Sequence, residues 1–301
     1  MEAWQLKQLQ SLSLQAKIAR TERKIREWYN AWNGDVYVSF SGGKDSTVLL
    51  HIVRSMFPDV PAVFVDTGLE YPEIRDFVKT VDNVTWLKPQ MTFKEVMEKY
   101  GYPVISKEQS CAISRYRNTK DPVQKYRRLN GWPNGKKGMI SKKWQFMIDA
   151  PFKISDACCD VMKKRPLDKY AKKTGRKPMS GMMADESRQR KMMYMKHSCN
   201  MFDSKKPISW PLAIWFDRDV WSCLYNTPLD HAKIYDMGEN RTGCMFCMFG
   251  VHMEPEPNRF QRMSKTHPAQ WNYCINKLGL GEVLDYIGVP YSQHSPTERN
   301  V

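Results

Sequence analysis

The chain has 301 residues, 42% hydrophobic and 26% charged, with 10 Trp, 14 Tyr and 12 Phe; this composition excludes a disordered chain and predicts one large domain or two small ones with a proper core. No run is apolar for long enough to span a bilayer, which excludes membrane-crossing helices. The formal net charge is +15, and residues 103–210 hold all of the excess: 26 Lys and Arg stand there against 9 Asp and Glu, while the rest of the chain has 21 against 23.

Residues 3–32 predict one long helix with Trp4, Leu9, Leu12, Ala16, Ile25, Trp28 and Trp32 along one face, ended by Gly34. Asp35–Phe40 reads as a short strand, Ser41-Gly42-Gly43-Lys44-Asp45-Ser46 as a glycine turn, and the residues after it as a helix. Two glycines let the chain turn sharply and expose its amides, and the helix start adds the positive end of its dipole, so the turn suits phosphate oxygens. A plain turn would need only the glycines; Ser41, Lys44 and Ser46 in a strand–helix context point to a bound nucleotide. The spacing lacks the Gly-Lys-Ser/Thr ending of a Walker loop, so a motor ATPase or kinase is not implied.

A second strand is expected over Pro61–Val65, ending at Asp66-Thr67-Gly68, with a helix over Pro72–Val81; Val84–Leu87 and Thr92–Lys99 repeat the alternation. Strands alternating with helices predict an α/β fold with a doubly wound, mostly parallel sheet. Pro103 opens a basic stretch broken by Gly131, Pro133, Gly135 and Gly138, read as a helical insertion with helices over Ser106–Arg117 and Pro122–Leu129. Tyr126, Arg127, Arg128 and Trp132 could combine phosphate contacts with base stacking there. Further on come a strand over Pro178–Ala184, a helix over 185–195, another over Asp217–Tyr225, and two within His267–Val289. The methionines at 179, 182, 183, 192, 193 and 195 are expected to fill a core. None of the six histidines has ligand spacing; His252, five residues after Cys247, could be an outer-shell partner of the cysteines but reads as a surface histidine.

No basic segment followed by an apolar run and a small-residue cleavage site opens the sequence, so a cytoplasmic location without a membrane partner is expected. Eight cysteines in that setting read as metal or redox groups rather than as disulfides. Cys158-Cys159 and Cys244-x-x-Cys247 offer four thiolates for zinc or for an iron–sulfur cluster, and the ligand set by itself does not choose between them. Cys111 and Cys199 are candidates to carry a persulfide, Cys111 in basic surroundings that favour its thiolate.

The SGGKDS loop resembles the SGGxDS motif of the PP-loop ATP pyrophosphatases, which grips the pyrophosphate of ATP and leaves the α-phosphate open to attack. Asp66-Thr67-Gly68 with Pro72-Glu73, and Ile105-Ser106-Lys107-Glu108, resemble elements of the phosphoadenosine phosphosulfate (PAPS) reductase branch. Cys158-Cys159 followed by Arg165-Pro166-Leu167, with Gly243-Cys244-x-x-Cys247, resembles the arrangement by which adenylylsulfate (APS) reductases hold a [4Fe-4S] cluster. Segments 180–190 and 207–221 also resemble that family. The resemblance implies an adenine nucleotide alpha hydrolase-like domain over 34–250 with the basic insertion at about 103–177, an N-terminal helix over 1–33 outside it, and a helical extension over 251–301. It implies ATP with Mg²⁺ bound by Ser39, Ser41, Gly42, Gly43, Lys44, Asp45, Ser46, Asp66, Thr67 and Gly68, and metal ligation by Cys158, Cys159, Cys244 and Cys247. Lys44, Asp45, Lys107, Arg188 and Arg190 are the catalytic candidates.

Three departures separate the chain from the reductases. Its phosphate loop is the complete ATP-splitting form; Met183 stands where the family has arginine; and the tail YSQHSPTERNV has no cysteine, while Cys274 lies in an expected helix. The whole set resembles instead the iron–sulfur sulfurtransferases of DNA phosphorothioation and, more distantly, the tRNA-thiolating enzymes. That implies activation of a nucleic-acid acceptor (DNA or tRNA) with ATP, and sulfur delivered by a persulfide or a cysteine desulfurase partner. APS or PAPS reduction with an external thiol is the second reading, and a zinc-containing nucleic-acid-binding accessory subunit the third.

Overall fold

The computed structural model describes residues 1–133 and 135–292. Its strands are β1 (Val36–Ser39), β2 (Ala62–Val65), β3 (Val84–Leu87), β4 (Val104–Ile105), β5 (Lys177–Ser180), β6 (Asn200–Met201), β7 (Ile208–Ser209) and β8 (Met248–Phe249). The chain forms two compact units, one of residues 1–66, 70–88 and 166–242, the other of 67–69, 89–165 and 243 onward. The basic stretch is thereby shared: 103–165 lies in the second unit and 166–210 in the first.

The first unit is built on a six-stranded sheet in the order β3-β2-β1-β5-β7-β6. Every pairing is parallel except β6 with β7, so the expected α/β class holds with a mostly parallel sheet. Val36, Tyr37 and Val38 and all four residues of β2 are buried, as strands covered on both faces require. Val38 stands beside Ala62 on one side and Met179 on the other. The chain leaves β1 toward β2 on one side, and β5 is added on the other. The gap above β1 and β5 is therefore a topological switch point, where open α/β sheets place ligands.

The expected single helix over 3–32 is two helices, Ala3–Gln10 and Leu14–Ala31. Ser13 starts the second by accepting from the Ala16 amide at 3.3 Å, which stops the first. The buried face also differs from the expected one: Leu6, Lys17, Thr21, Ile25 and Trp28 are buried, whereas Trp4 is 63% exposed. Lys17 Nζ lies 2.5 Å from the Asp219 carboxylate, which also accepts from the Phe216 amide at 2.7 Å. Thr21 donates to the Pro211 carbonyl at 3.1 Å and accepts from Trp215 Nε1 at 3.0 Å. The helix is thus fastened onto segment 211–219.

In the second unit, β4 and β8 pair in parallel, Val104 with Met248 and Ile105 with Phe249. Neither strand is signalled by a periodic pattern, each being two residues long. The helices Lys107–Asn118 and Pro122–Asn130 match the expected ones, capped by Ser106 and Asp121. Arg117 ties them to the short 3-10 helix Lys142–Asp149 by donating to the carbonyls of Met147, Ile148, Ala150 and Phe152 at 2.6–2.8 Å. The helix Arg259–Thr266, capped by Asn258, was not expected; Pro268–Asn272 and Leu280–Tyr286 were. All of the cysteine-free tail beyond Ser292, His294 included, lies outside the described residues. No helix among the described residues is long and apolar enough to cross a membrane.

Candidate functional site

The turn after β1 folds on its own hydroxyls. Ser46 Oγ accepts from the Ser41 amide at 3.1 Å, donates to the Gly43 carbonyl at 2.8 Å, and lies 3.1 Å from Ser41 Oγ. Thr47, outside the expected set, donates to the same carbonyl at 3.1 Å. Gly42 has φ +71°, and a Cβ there would stand 2.7 Å from Val78 Cγ2 and 2.8 Å from Ile74 Cγ2, so only glycine fits. A Cβ on Gly181, at the end of β5, would stand 2.9 Å from the Asp45 carbonyl, so the two strand ends close tightly around the loop. Ser39 sits within β1, in register with Val63 and Ser180.

Lys44 opens the helix Lys44–Met56 and is buried. Its ammonium is 2.7 Å from Asp217 and 3.4 Å from Asp45. Burial lowers its pKa, but Asp45, Asp217 and Tyr235 outweigh burial and raise it, so Lys44 stays charged. Burial raises the Asp45 carboxyl, with Lys44 opposing. The Lys44 amide donates to the Tyr235 hydroxyl at 2.8 Å, and that hydroxyl is 3.0 Å from Thr242 Oγ1. Tyr235 escapes sequence reasoning because it lies far along the chain in a segment without a motif; Asp217 and Thr242 lie in or beside family-like segments, but no local pattern shows that they reach the loop.

Arg190 is drawn toward the loop. Burial and Arg241 lower its pKa, Asp45 raises it, and it pairs with Glu186. A cation is therefore present in this unit although Met183 replaces the family arginine and is itself buried. Arg188 is exposed at the start of the helix Arg188–His197. Asp66 is buried and paired with Arg75 at 3.0 Å. Thr67 Oγ1 accepts from the Leu69 amide at 3.2 Å, and Gly68 has φ +75° with open space where a Cβ would point.

The four cysteines gather in the second unit. The Cys158 thiol is raised by its hydrogen bond to Cys159, by burial, and by Cys244 and Cys247. The Cys159 thiol is lowered by that same bond and by Lys107 and Lys163. Burial raises Cys247, with Arg259 opposing; Arg259 Nη1 also donates to the Cys247 carbonyl at 3.0 Å. Among the described residues no group of three or more His, Cys, Asp or Glu stands in ion-binding geometry. The chemistry of the donor set nevertheless fits a thiolate-bound centre: four neighbouring sulfurs, one of them acidified, with Lys107, Lys163 and Arg259 as counter-charges.

Lys107 is therefore a partner of Cys159. It follows Ile105, whose φ of +62° is strained for a β-branched residue, by about 1–3 kcal/mol. That backbone turn redirects the chain at the end of β4.

Several expectations change. Burial and Asp156 raise the Cys111 thiol against Arg115 and Arg128, so the basic surroundings do not yield a thiolate. Burial pushes Cys199 up to about 12, and its thiol donates to the Trp210 carbonyl at 3.1 Å. Cys274 is a buried thiol, as expected. Met179 and Met183 are buried, but Met192 and Met193 are exposed on a helix with no apolar face. His252 lies edge-on to Trp144 at 5.0 Å, with a buried Nδ1.

Residues 35–249 match the family model described as phosphoadenosine phosphosulfate reductase domain. Among curated proteins, an uncharacterized protein of Methanocaldococcus jannaschii is 27% identical over 274 residues, 87% of this chain and 54% of its own length. A second from that organism is 24% identical and covered over 43% of its length, so this chain spans about half of these relatives. The adenosine 5'-phosphosulfate reductase of Staphylococcus epidermidis is 24% identical over 81% of this chain and 84% of its own. The crystal structure of PAPS reductase from Candida auris aligns over 81% of this chain and 96% of its own at 14% identity and a TM-score of 0.44. U34-tRNA thiolase NcsA from Methanococcus maripaludis, with its [4Fe-4S] cluster, aligns over 95% and 86% at 15% identity and a TM-score of 0.39.

Proposed function

This chain belongs to the phosphoadenosine phosphosulfate reductase family, and from that premise we propose that it splits ATP to AMP and pyrophosphate to activate a nucleic-acid acceptor for sulfur transfer. The observation that carries the reading is the complete phosphate loop at the sheet's switch point: Gly42 in its left-handed conformation, the Ser41 and Ser46 hydroxyls, and charged Lys44 at a helix start.

An acceptor oxygen attacks the α-phosphate, its bond to phosphorus forming as the bond to pyrophosphate breaks. The Lys44 ammonium and the loop amides stabilise the negative charge that develops on the leaving pyrophosphate, with Mg²⁺ brought by the nucleotide. Arg190 offers a cation for the α-phosphate or the acceptor. The terminal sulfur of a persulfide, carried by this chain or brought by a cysteine desulfurase partner, then attacks the activated position and AMP leaves with the electron pair. A second thiol attacks the inner sulfur of the resulting disulfide, the S–S bond breaks with its electron pair left on the acceptor sulfur, and an external dithiol reduces the protein disulfide so formed. Cys158, Cys159, Cys244 and Cys247 would hold a [4Fe-4S] cluster, which when bound would supply a redox centre, and Lys107, Lys163 and Arg259 would balance its charge.

The nucleic-acid acceptor is supported by the helix Pro122–Asn130, which has no buried residue. Lys120, Lys125, Lys136 and Lys137 are exposed there, as is Tyr126, at 66%. Arg127 lies 4.8 Å over the Trp132 ring, and Arg128 donates to the Gly138 carbonyl at 2.8 Å, so these two are engaged within the insertion while the lysines are exposed. The likeness to the Staphylococcus epidermidis reductase favours a second reading, sulfite formation from APS or PAPS with an external thiol.

The test is anaerobic purification followed by pyrophosphate release from ATP, with and without tRNA or DNA. A brown protein with release stimulated by nucleic acid is expected. Sulfite from APS or PAPS and a dithiol, with ATP untouched, would overturn the reading. A colourless protein with one bound zinc would remove the cluster and favour an accessory nucleic-acid-binding role.

A further inference from the structure

The helix Asp217–Asn226 presents more than Asp217 to the phosphate loop. One turn apart on it, Trp221 and Tyr225 stack with centroids 5.6 Å apart and planes 19° from parallel. His231 and Tyr235 meet Trp221 edge-on at 5.6 and 5.3 Å, and His231 is held by Asp236 at 3.1 Å. Lys44 Nζ lies 5.9 Å from the Trp221 ring centre and 5.8 Å from that of Tyr235. The aromatic rings therefore continue directly from the cation of the loop.

Tyr225, at the outer end of this row, is 75% exposed. A stacked pair on a helix surface contributes only about 0.2–0.5 kcal/mol to the helix. Stability thus gives little reason for a large ring in water at this position. The arrangement matches how proteins hold unpaired bases, by a rigid aromatic face beside a cation that takes the phosphate.

We propose that Trp221 and Tyr225 form a nucleobase-stacking subsite adjoining the phosphate loop, with Lys44 holding a phosphate and Tyr235 and His231 fixing the Trp221 ring. The proposal rests on the nucleotide-binding reading of the loop. The planar base is either the adenine of ATP or a base of the nucleic-acid acceptor, and the two are separated by the probes below.

The full chain, its Tyr225→Ala and its Tyr225→Phe variants are titrated at fixed salt with ATP, with inorganic pyrophosphate and with a fluorescein-labelled single-stranded oligonucleotide. Tyr225→Ala is expected to weaken ATP or the oligonucleotide about 5- to 100-fold, while pyrophosphate binding is unchanged and Tyr225→Phe behaves like the parent. Weakened ATP assigns the shelf to adenine; a weakened oligonucleotide with unchanged ATP assigns it to the acceptor. Equal binding of all three probes by parent and Tyr225→Ala overturns the proposal, as does an equal loss for pyrophosphate. A parent chain that binds neither ATP nor pyrophosphate overturns the reading of the loop and the shelf with it. ATP splitting by the parent alongside an unaffected Tyr225→Ala defeats the shelf alone.

Discussion

Asp217→Asn is expected to tighten ATP binding. A phosphate on the loop needs the Lys44 ammonium and the Lys44 amide, yet the ammonium is 2.7 Å from Asp217 and the amide donates to Tyr235. The nucleotide must therefore compete with a carboxylate. The Asp217 side chain is 64% exposed, so the pair is worth about 0.2–1 kcal/mol, as for surface pairs, after screening by water. Relieving that competition lowers the ATP Kd by about 1.5- to 5-fold. Folding stability should change by less than about 1 kcal/mol, because Lys44 keeps Asp45 at 3.4 Å. Calorimetric titrations with ATP and with pyrophosphate, at low and at physiological salt, measure the effect, which should shrink as salt rises. Tyr235→Phe, which removes the hydroxyl that accepts from the amide, should act in the same direction. Weaker ATP binding by Asp217→Asn would refute the argument and show that the carboxylate helps to hold the nucleotide.

Lys17→Met should cost about 3–5 kcal/mol in urea unfolding, because it strands the Asp219 carboxylate, and Lys17→Met with Asp219→Asn should recover part of the loss. A cost below about 1 kcal/mol would mean that the pair is well hydrated. Gly42→Ala adds about 1–2 kcal/mol of left-handed strain and drives a methyl to 2.7 Å from Val78; ATP and pyrophosphate affinity should fall at least about tenfold with the fold intact by circular dichroism. Unchanged pyrophosphate binding by that variant would count against the loop as the anion site. For Cys111, whose pKa is raised by burial and Asp156, the thiolate fraction is small at neutral pH and grows with pH. Iodoacetamide labelling followed by mass spectrometry should be slow at neutral pH and still accelerating past the ordinary thiol range. Fast labelling at neutral pH would restore Cys111 as a reactive thiolate.

The sequence by itself determined what depends on near neighbours along the chain. The left-handed turn at Gly42, the caps at Ser106 and Asp121 and the strand–loop–helix unit rest on dihedral preferences and hydrogen bonds spanning a few residues. The α/β alternation and the two cysteine pairs were legible for the same reason. The break at Ser13 was local too, but a helical periodicity of apolar residues ran through it and concealed the cap.

Tertiary structure alone decided which charges are paired and which thiols are buried. Lys17 faces inward because Asp219, 202 residues away, meets it there. The Lys44 ammonium and amide are engaged by Asp217 and Tyr235, and Lys107 serves Cys159. A count of lysines and arginines predicted a thiolate at Cys111, where burial and one aspartate produce a thiol. Desolvation and short-range pairing depend on which distant segments pack together, and no local pattern of residues encodes that.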